Sequence, residues 1–131
     1  MKSTLGSFQV NLFSHQKIIQ IYPVKTAIVT GSNTGIGLET VKQLYNKNCN
    51  VIMVVRTGSK GNIALETVLK EFLTSNGDST VVAGCDYTDL NLIKCAAENV
   101  IDAINDKPVS IIIHNAELMT SSKELTSAQG L

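Results

Sequence analysis

The chain has 131 residues, 44% of them hydrophobic and 17% charged, which fits one globular domain with a single core and excludes a disordered or fibrous chain. Eleven basic residues balance eleven acidic ones, so no charge excess directs the chain to nucleic acid or to an anionic membrane surface. No apolar run approaches the roughly 18–20 residues that a bilayer span requires, and the first 23 residues carry no continuous apolar stretch of the secretory kind, so a cytoplasmic location is expected.

Residues 1–23, with scattered apolar positions at Leu5, Phe8, Leu12 and Phe13, are expected to be a mobile or loosely docked extension holding at most an amphipathic turn or two. Pro23 presets an extended start, and Val24 to Thr30 reads as the first strand of a domain covering 24–131. Thr30-Gly31-Ser32-Asn33-Thr34-Gly35-Ile36-Gly37 then turns the chain into a helix from Gly35 to about Asn46, with Ile36, Thr40 and Leu44 on one face and Leu38, Val41 and Tyr45 beside them. Asn46, Asn48 and Asn50 end it. Val51-Ile52-Met53-Val54-Val55 is continuously apolar and β-branched, the pattern of a strand covered on both faces, and the strand ends at Arg56.

After a turn at Thr57-Gly58-Ser59, Leu65, Val68, Leu69, Phe72 and Leu73 recur at helical spacing, and Ser75-Asn76-Gly77 is the expected C-terminal cap. Thr80 to Ala83 gives a third short strand, and Asp86 to Asp89 offers side-chain oxygens to a helix running to about Asn105, with Leu90, Ile93, Ala97, Val100, Ile101 and Ile104 as its apolar positions. Pro108 separates it from a fourth strand, Val109 to Ile113. Three strand–helix units followed by a strand imply right-handed parallel crossovers. The expected fold is therefore a Rossmann-type doubly wound α/β sheet, truncated to about four strands in the order 3-2-1-4.

The glycine turn is the centre of the functional reading. Glycine takes positive φ and lets the main chain approach a ligand, while the first amides of the following helix lack internal acceptors and face the positive end of its dipole. A pyrophosphate suits such a place. No Lys-Ser or Lys-Thr pair follows the last glycine, so the turn is not a P-loop. Cys49, Cys85 and Cys95 are odd in number and lack the paired spacing of a zinc site; reduced thiols acting as small apolar side chains, and no metal, are expected.

From about Val24 onward the chain resembles the amino-terminal half of a short-chain dehydrogenase/reductase. Thr30-Gly31-x-x-x-Gly35-x-Gly37 matches that family's cofactor motif, and Arg56, Asp86 and Asn115-Ala116 follow in order near the ends of the second, third and fourth strands. The wording Asn33-Thr34-Gly35-Ile36-Gly37-Leu38-Glu39-Thr40, with Arg56 and Lys60-Gly61, is similar to the retinol dehydrogenase-like branch.

The resemblance implies a dinucleotide held by Gly31, Ser32, Asn33, Gly35, Ile36 and Gly37. It places Arg56 beside the adenosine ribose, where a guanidinium pairs with a 2′-phosphate, so NADP is expected before NAD. It also implies that Asp86, with Tyr87 beside it, meets the adenine amino group, although capping of the next helix is an equally physical role for Asp86. Asn115 and Ala116 correspond to the second and third residues of an Asn-Asn-Ala-Gly motif in which His114 replaces the first asparagine and Glu117 the glycine. If that last position needs positive φ or close approach of the nicotinamide ribose, a glutamate adds steric cost as well as a carboxylate near the cofactor.

The family's chemistry depends on a serine and a Tyr-x-x-x-Lys set. Tyr87 is the last tyrosine, no tyrosine has a lysine four residues on, and Ser121, Ser122 and Ser127 match no family position. Sixteen residues follow Asn115, and Glu124 to Leu131 resembles the approach to the family's next long helix. No catalytic residue is therefore assigned, and an alcohol or carbonyl substrate is expected only if the missing half is supplied. The isolated chain is expected to be marginal in stability, to aggregate, or to self-associate through the open edge of strand four, because a few exposed core side chains at roughly 1.5–3 kcal/mol each offset a domain stability of about 5–15 kcal/mol. The alternative is a non-enzymatic nucleotide-binding or interaction protein derived from the fold. A methyltransferase would suit the glycine turn but not Arg56, Asp86 and Asn115 together.

Overall fold

The computed structural model describes residues 2–5, 8–11, 22–118 and 128–130. At the start of the chain β1 (Lys2–Leu5), β2 (Phe8–Asn11) and β3 (Tyr22–Pro23) form a small antiparallel sheet, Leu5 pairing with Phe8 and Gln9 with Tyr22. The backbone here is extended and paired, where an amphipathic turn was expected. Leu12 and Phe13 lie outside the described residues, as do Ser121, Ser122 and Ser127.

The main body alternates strictly: β4 (Thr26–Thr30), α1 (Gly35–Asn46), β5 (Asn50–Val54), α2 (Gly58–Glu71), β6 (Ser79–Val82), α3 (Leu90–Ile104) and β7 (Val109–Ile113). The four strands are parallel in the order β6-β5-β4-β7, which is the expected 3-2-1-4 arrangement of a Rossmann-like α/β fold. The first strand begins at Thr26, two residues later than expected, where its ladders to Asn50 and Val109 begin. One irregularity interrupts the β4–β7 ladder: Thr26 faces Val109 while Ala27 faces Ile111, leaving Ser110 as an extra residue.

Burial follows strand position. Ala27, Val29, Val51 and Met53, on the two central strands, are buried to within 1% of completely, as continuous apolar strands between two helical layers should be. One core layer joins Val29, Val51 and Met53 to Val41 and Tyr45 of α1 and to Ala64 and Val68 of α2. On the opposite face Ile28, Ile52, Val54 and Val82 meet Ala96 of α3, with Val100, Ala103 and Ile104 alongside. Two helices on one face and the third on the other is the distribution that crossovers of a single hand produce when the strand order reverses. Lys42 links the first two helices by donating to two carboxylates, those of Glu39 (3.1 Å) and of Glu71 of α2 (2.9 Å).

Three expectations need correction. The inward stripe of α3 is Ile93, Ala96, Val100, Ala103 and Ile104; Ala97 points outward and Ile101 is 67% exposed. Small alanines sit where the helix lies against the sheet, because a larger side chain there would hold the two layers apart. The helix α2 stops at Glu71, and Ser75-Asn76-Gly77 does not cap it: Gly77 lacks positive φ, and the Ser75 hydroxyl accepts the Gly77 N–H (3.1 Å) and donates to the Tyr45 carbonyl. Cys49 and Cys85 are buried thiols, but Cys95 is exposed on α3. Among the described residues no helix is long and apolar enough to cross a membrane.

Candidate functional site

The carboxyl ends of the strands open onto a cleft of about 600 Å³. Its floor is the turn after β4. Gly31 has φ +62, donates its N–H to the Val54 carbonyl (2.9 Å), and could not carry a side chain, since a Cβ there would stand 2.8 Å from the Ala116 Cα. Gly35 has φ +55 and faces open space, so it is needed for conformation alone. Gly37 is needed for room: a Cβ would run into the Gly31 carbonyl oxygen and come within 2.5 Å of the Asn115 amide nitrogen.

The start of α1 is left open to an anion. Its N-cap, Thr34, is extended but its side chain makes no capping bond, and the first turn has no acidic residue. Unsatisfied amides and the positive dipole end therefore both point at the turn. This is a cradle that Cβ atoms would fill and that a pyrophosphate fits.

Thr30 fastens the next element to this floor. Its Oγ1 accepts the N–H groups of Asn115 (3.0 Å) and Ala116 (3.1 Å), while the Asn115 side-chain amide donates to the carbonyls of Thr30 and Gly31, both at 3.1 Å. The segment after β7 is thus stitched to the glycine turn by four hydrogen bonds. Thr30 was not assigned this role from the sequence, although a hydroxyl residue at a strand end beside glycine is a usable signal for it.

At the far side, Arg56 follows β5, and its carbonyl accepts the Gly84 N–H (3.1 Å), which ties the ends of β5 and β6 together. The Asp86 carboxylate accepts both the N–H (2.9 Å) and the hydroxyl (2.7 Å) of Thr88. Those bonds, the hydroxyl first, hold Asp86 below the usual carboxylate range, with Arg56 adding a smaller pull. Asp86 therefore shapes its own turn and does not cap α3; the cap is Asp89, whose carboxylate accepts the Asn91 N–H (2.8 Å). Tyr87 is half exposed beside Cys85, and its phenol is pushed up chiefly by burial.

Gly31, Asn33, Ile36, Arg56, Asp86, Tyr87, Asn115 and Ala116 all line the one cleft. Gly35 and Gly37 shape it from outside its lining. Ser32 is not at its surface: it is completely buried, and its hydroxyl has no partner among the described residues. Lys60, Thr57 and Glu117, not assigned as site residues from the sequence, line the cleft too. Glu117 is exposed, and its backbone is not among the positive-φ non-glycine positions, which among the described residues are Asn48, Asn105 and Asp106. The steric penalty expected from positive φ at Glu117 therefore does not arise; that expected from close approach of a nicotinamide ribose, and the charge at the cleft, are separate from it. Among the described residues no three His, Cys, Asp or Glu side chains cluster as metal ligands would.

The family model for short chain dehydrogenase matches residues 25–129. Human retinol dehydrogenase 11 is 36% identical over 98 residues, covering 74% of this chain and 29% of its own. L-Sorbose reductase of Gluconobacter frateurii, solved with NADPH and L-sorbose, superposes with a TM-score of 0.63 at 21% identity over 81% of this chain and 38% of its own. A metagenomic short-chain oxidoreductase solved with NADP gives 0.57 at 26% identity, covering 72% of this chain and 39% of its own. The chain spans about 30% of the length of the curated relatives it matches first.

Proposed function

The chain belongs to the short-chain dehydrogenase family, and from that premise we propose that these residues form its NADP(H)-binding part. One observation carries the reading: a glycine turn beneath an uncapped helix start shares a single cleft with Arg56, Asp86 and Asn115. Gly31, Gly35 and Gly37 give the pyrophosphate close access to the amides that open α1, with Ser32, Asn33 and Ile36 completing the turn. Arg56 faces the 2′-phosphate, and Lys60 on the same wall adds a second cation. Asp86 and Tyr87 take the adenine, and Asn115 and Ala116 the nicotinamide ribose.

When bound, the dinucleotide gives or accepts a hydride; the residues described here bind and orient it. The serine and Tyr-x-x-x-Lys set that moves the proton is not within these 131 residues. Oxidation or reduction of an alcohol/carbonyl pair is accordingly proposed for a whole protein that includes that set. NADP-bound neighbours and the absence of an acid at the end of β5 support NADP over NAD.

Fluorescence titration with NADPH and NADH tests the reading. NADPH is expected to bind more tightly, and Arg56→Ser to weaken NADPH about tenfold or more while sparing NADH, since a charge-assisted hydrogen bond contributes roughly 1.5–3 kcal/mol. Equal affinities, or no binding of either below millimolar concentration, would overturn it.

A further inference from the structure

The far end of the described chain returns to the adenine side of the cleft. Ala128 donates its N–H to the Thr88 carbonyl (2.6 Å). Next to it Gln129 uses both ends of its side-chain amide: Oε1 accepts the Leu90 N–H (2.9 Å), and Nε2 donates to Asp89 Oδ1 (2.8 Å). Residues 128–130 are otherwise exposed, so these bonds, spanning 39 and 40 positions in sequence, tie them to the body of the fold.

The point of attachment is not an ordinary helix start. Asp89 already caps α3 through Asn91, so Gln129 takes the neighbouring free amide, that of Leu90, and steadies the capping carboxylate as well. Asp89 in turn donates its N–H to the Asp86 carbonyl (3.3 Å), and Thr88 gives its N–H and hydroxyl to the Asp86 carboxylate. The bonds form one continuous path, from Gln129 and Ala128 through Leu90, Asp89 and Thr88 to Asp86, and Asp86 to Thr88 line the cleft. The opposite wall, Asn115 to Leu118, lies on the same stretch of chain as Gln129, about a dozen residues before it.

We infer that Gln129 is a positioning residue for the adenine end of the cleft: by pinning the start of α3 from outside, it holds the Asp86–Thr88 turn in the shape that meets the adenylate half of a dinucleotide. The inference rests on the proposed cofactor reading and adds to it a residue that touches no part of the cofactor. Its effect falls mainly on one half of the ligand, since the glycine turn and Asn115 are held by Thr30, which the path reaches through the Tyr87 phenol alone among the described residues.

The test compares the 131-residue chain with its Gln129→Leu variant, which removes both side-chain bonds at an exposed position and leaves the core untouched. Two ligands separate the halves of the cofactor: 2′,5′-ADP carries the adenylate end, and reduced nicotinamide mononucleotide the other. Gln129→Leu is expected to weaken 2′,5′-ADP about fivefold, the equivalent of one net hydrogen bond, and to leave the mononucleotide within about twofold. Amide exchange supplies an independent readout, with protection at Leu90 and Thr88 expected to fall about tenfold in the variant.

Unchanged exchange at those amides would refute the pinning itself. Faster exchange with unchanged 2′,5′-ADP affinity would reduce Gln129 to a helix cap and overturn the positioning role. Equal weakening of both ligands would overturn it as well. Failure of the unaltered chain to bind 2′,5′-ADP or NADPH is a different result, visible without the variant, and sinks the cofactor reading together with this use of the turn.

Discussion

Gly37→Ala isolates the close approach of the glycine turn to α1. In an ordinary helix the change is favourable, because alanine exceeds glycine in helix propensity by about 1 kcal/mol. Here the added Cβ meets the Gly31 carbonyl oxygen at less than contact distance, and that oxygen belongs to backbone held at φ +62 with its own N–H bonded to Val54. Overpacking against atoms that cannot move aside costs about 1–3 kcal/mol. The same Cβ reaches the Asn115 side-chain amide at 2.5 Å and displaces its two hydrogen bonds, to Thr30 and Gly31, for about 1 kcal/mol each. Setting the propensity gain against these terms leaves a net loss of about 2–4 kcal/mol.

Gly35→Ala is the internal control. Nothing lies within 4 Å of its Cβ position, so only the left-handed backbone, φ +55, is penalised, by about 1–2 kcal/mol. Urea unfolding followed by far-ultraviolet circular dichroism measures both variants against the parent. The reasoning fails if Gly37→Ala is as stable as the parent, or if it is the milder of the two.

Thr30→Val keeps the shape of the strand end but strips the acceptor from two amides, and is expected to cost about 1–3 kcal/mol, while Thr30→Ser stays within about 0.5 kcal/mol; equal melting temperatures for the two variants would remove Thr30 from its role. Asp86 and Asp89 both have lowered pKa values, so their stabilisation is present above the ordinary aspartate range near pH 4 and is lost as pH falls through the lowered folded values; Asp89, held first by Gln129 and then by Asn91, adds to Asp86. Urea midpoints should drop over that acidic window, and an Asp86→Asn/Asp89→Asn chain that kept the full slope would contradict the assignment. Glu117→Gly is expected to strengthen NADPH binding by removing a carboxylate from the cleft without relieving any backbone strain, an effect that 0.5 M salt should shrink; a gain insensitive to salt would mean that charge is not the cause. The outer strand β7 leaves Ile112 57% exposed, and Ile112→Lys should lower concentration-dependent association in sedimentation velocity; unchanged association would place the contact elsewhere.

The fold was legible wherever burial on both faces left a single pattern. Val51 to Val55 could only be an inner strand, and the glycine turn could only join β4 to α1, so the strand order followed. The face of α3 was not legible in the same way. Leu90, Leu92, Ile93, Ala96, Ala97, Val100, Ile101, Ala103 and Ile104 are apolar on more than one side, so periodicity alone favoured the larger residues, whereas closeness to the sheet selected the alanines.

At the site, residues whose type carries a local demand could be named from the sequence: Gly31 and Gly35 for positive φ and Gly37 for close approach are of this kind. Bonds to a partner distant in sequence could not be, even for Asn115, which the family resemblance named. Thr30 and Asn115 stand 85 positions apart, and Leu90 and Gln129 stand 39 apart, so neither hydrogen bond leaves a local trace. For Ser32, its place in the motif likewise says nothing of its complete burial.

The asparagines that break the chain after α1 have a wider consequence. At the amino-terminal rim of the sheet, Asn48 Oδ1 accepts the Asn76 N–H (2.9 Å), Asn50 Oδ1 accepts the Asp78 N–H (3.1 Å), and the Asn50 N–H goes to the Lys25 carbonyl (2.8 Å). The backbone amides of Asn50, Asn76 and Asp78 are satisfied at that rim, although the buried Thr26 hydroxyl has no partner among the described residues, whereas the opposite rim keeps the opening amides of α1 in reserve. The two rims therefore do different work. Changes at Asn48 or Asn50 should alter folding and leave ligand affinity alone, while a dinucleotide at the other rim completes an unfinished network and stabilises the chain by about 2.7 kcal/mol at a hundredfold excess over its dissociation constant.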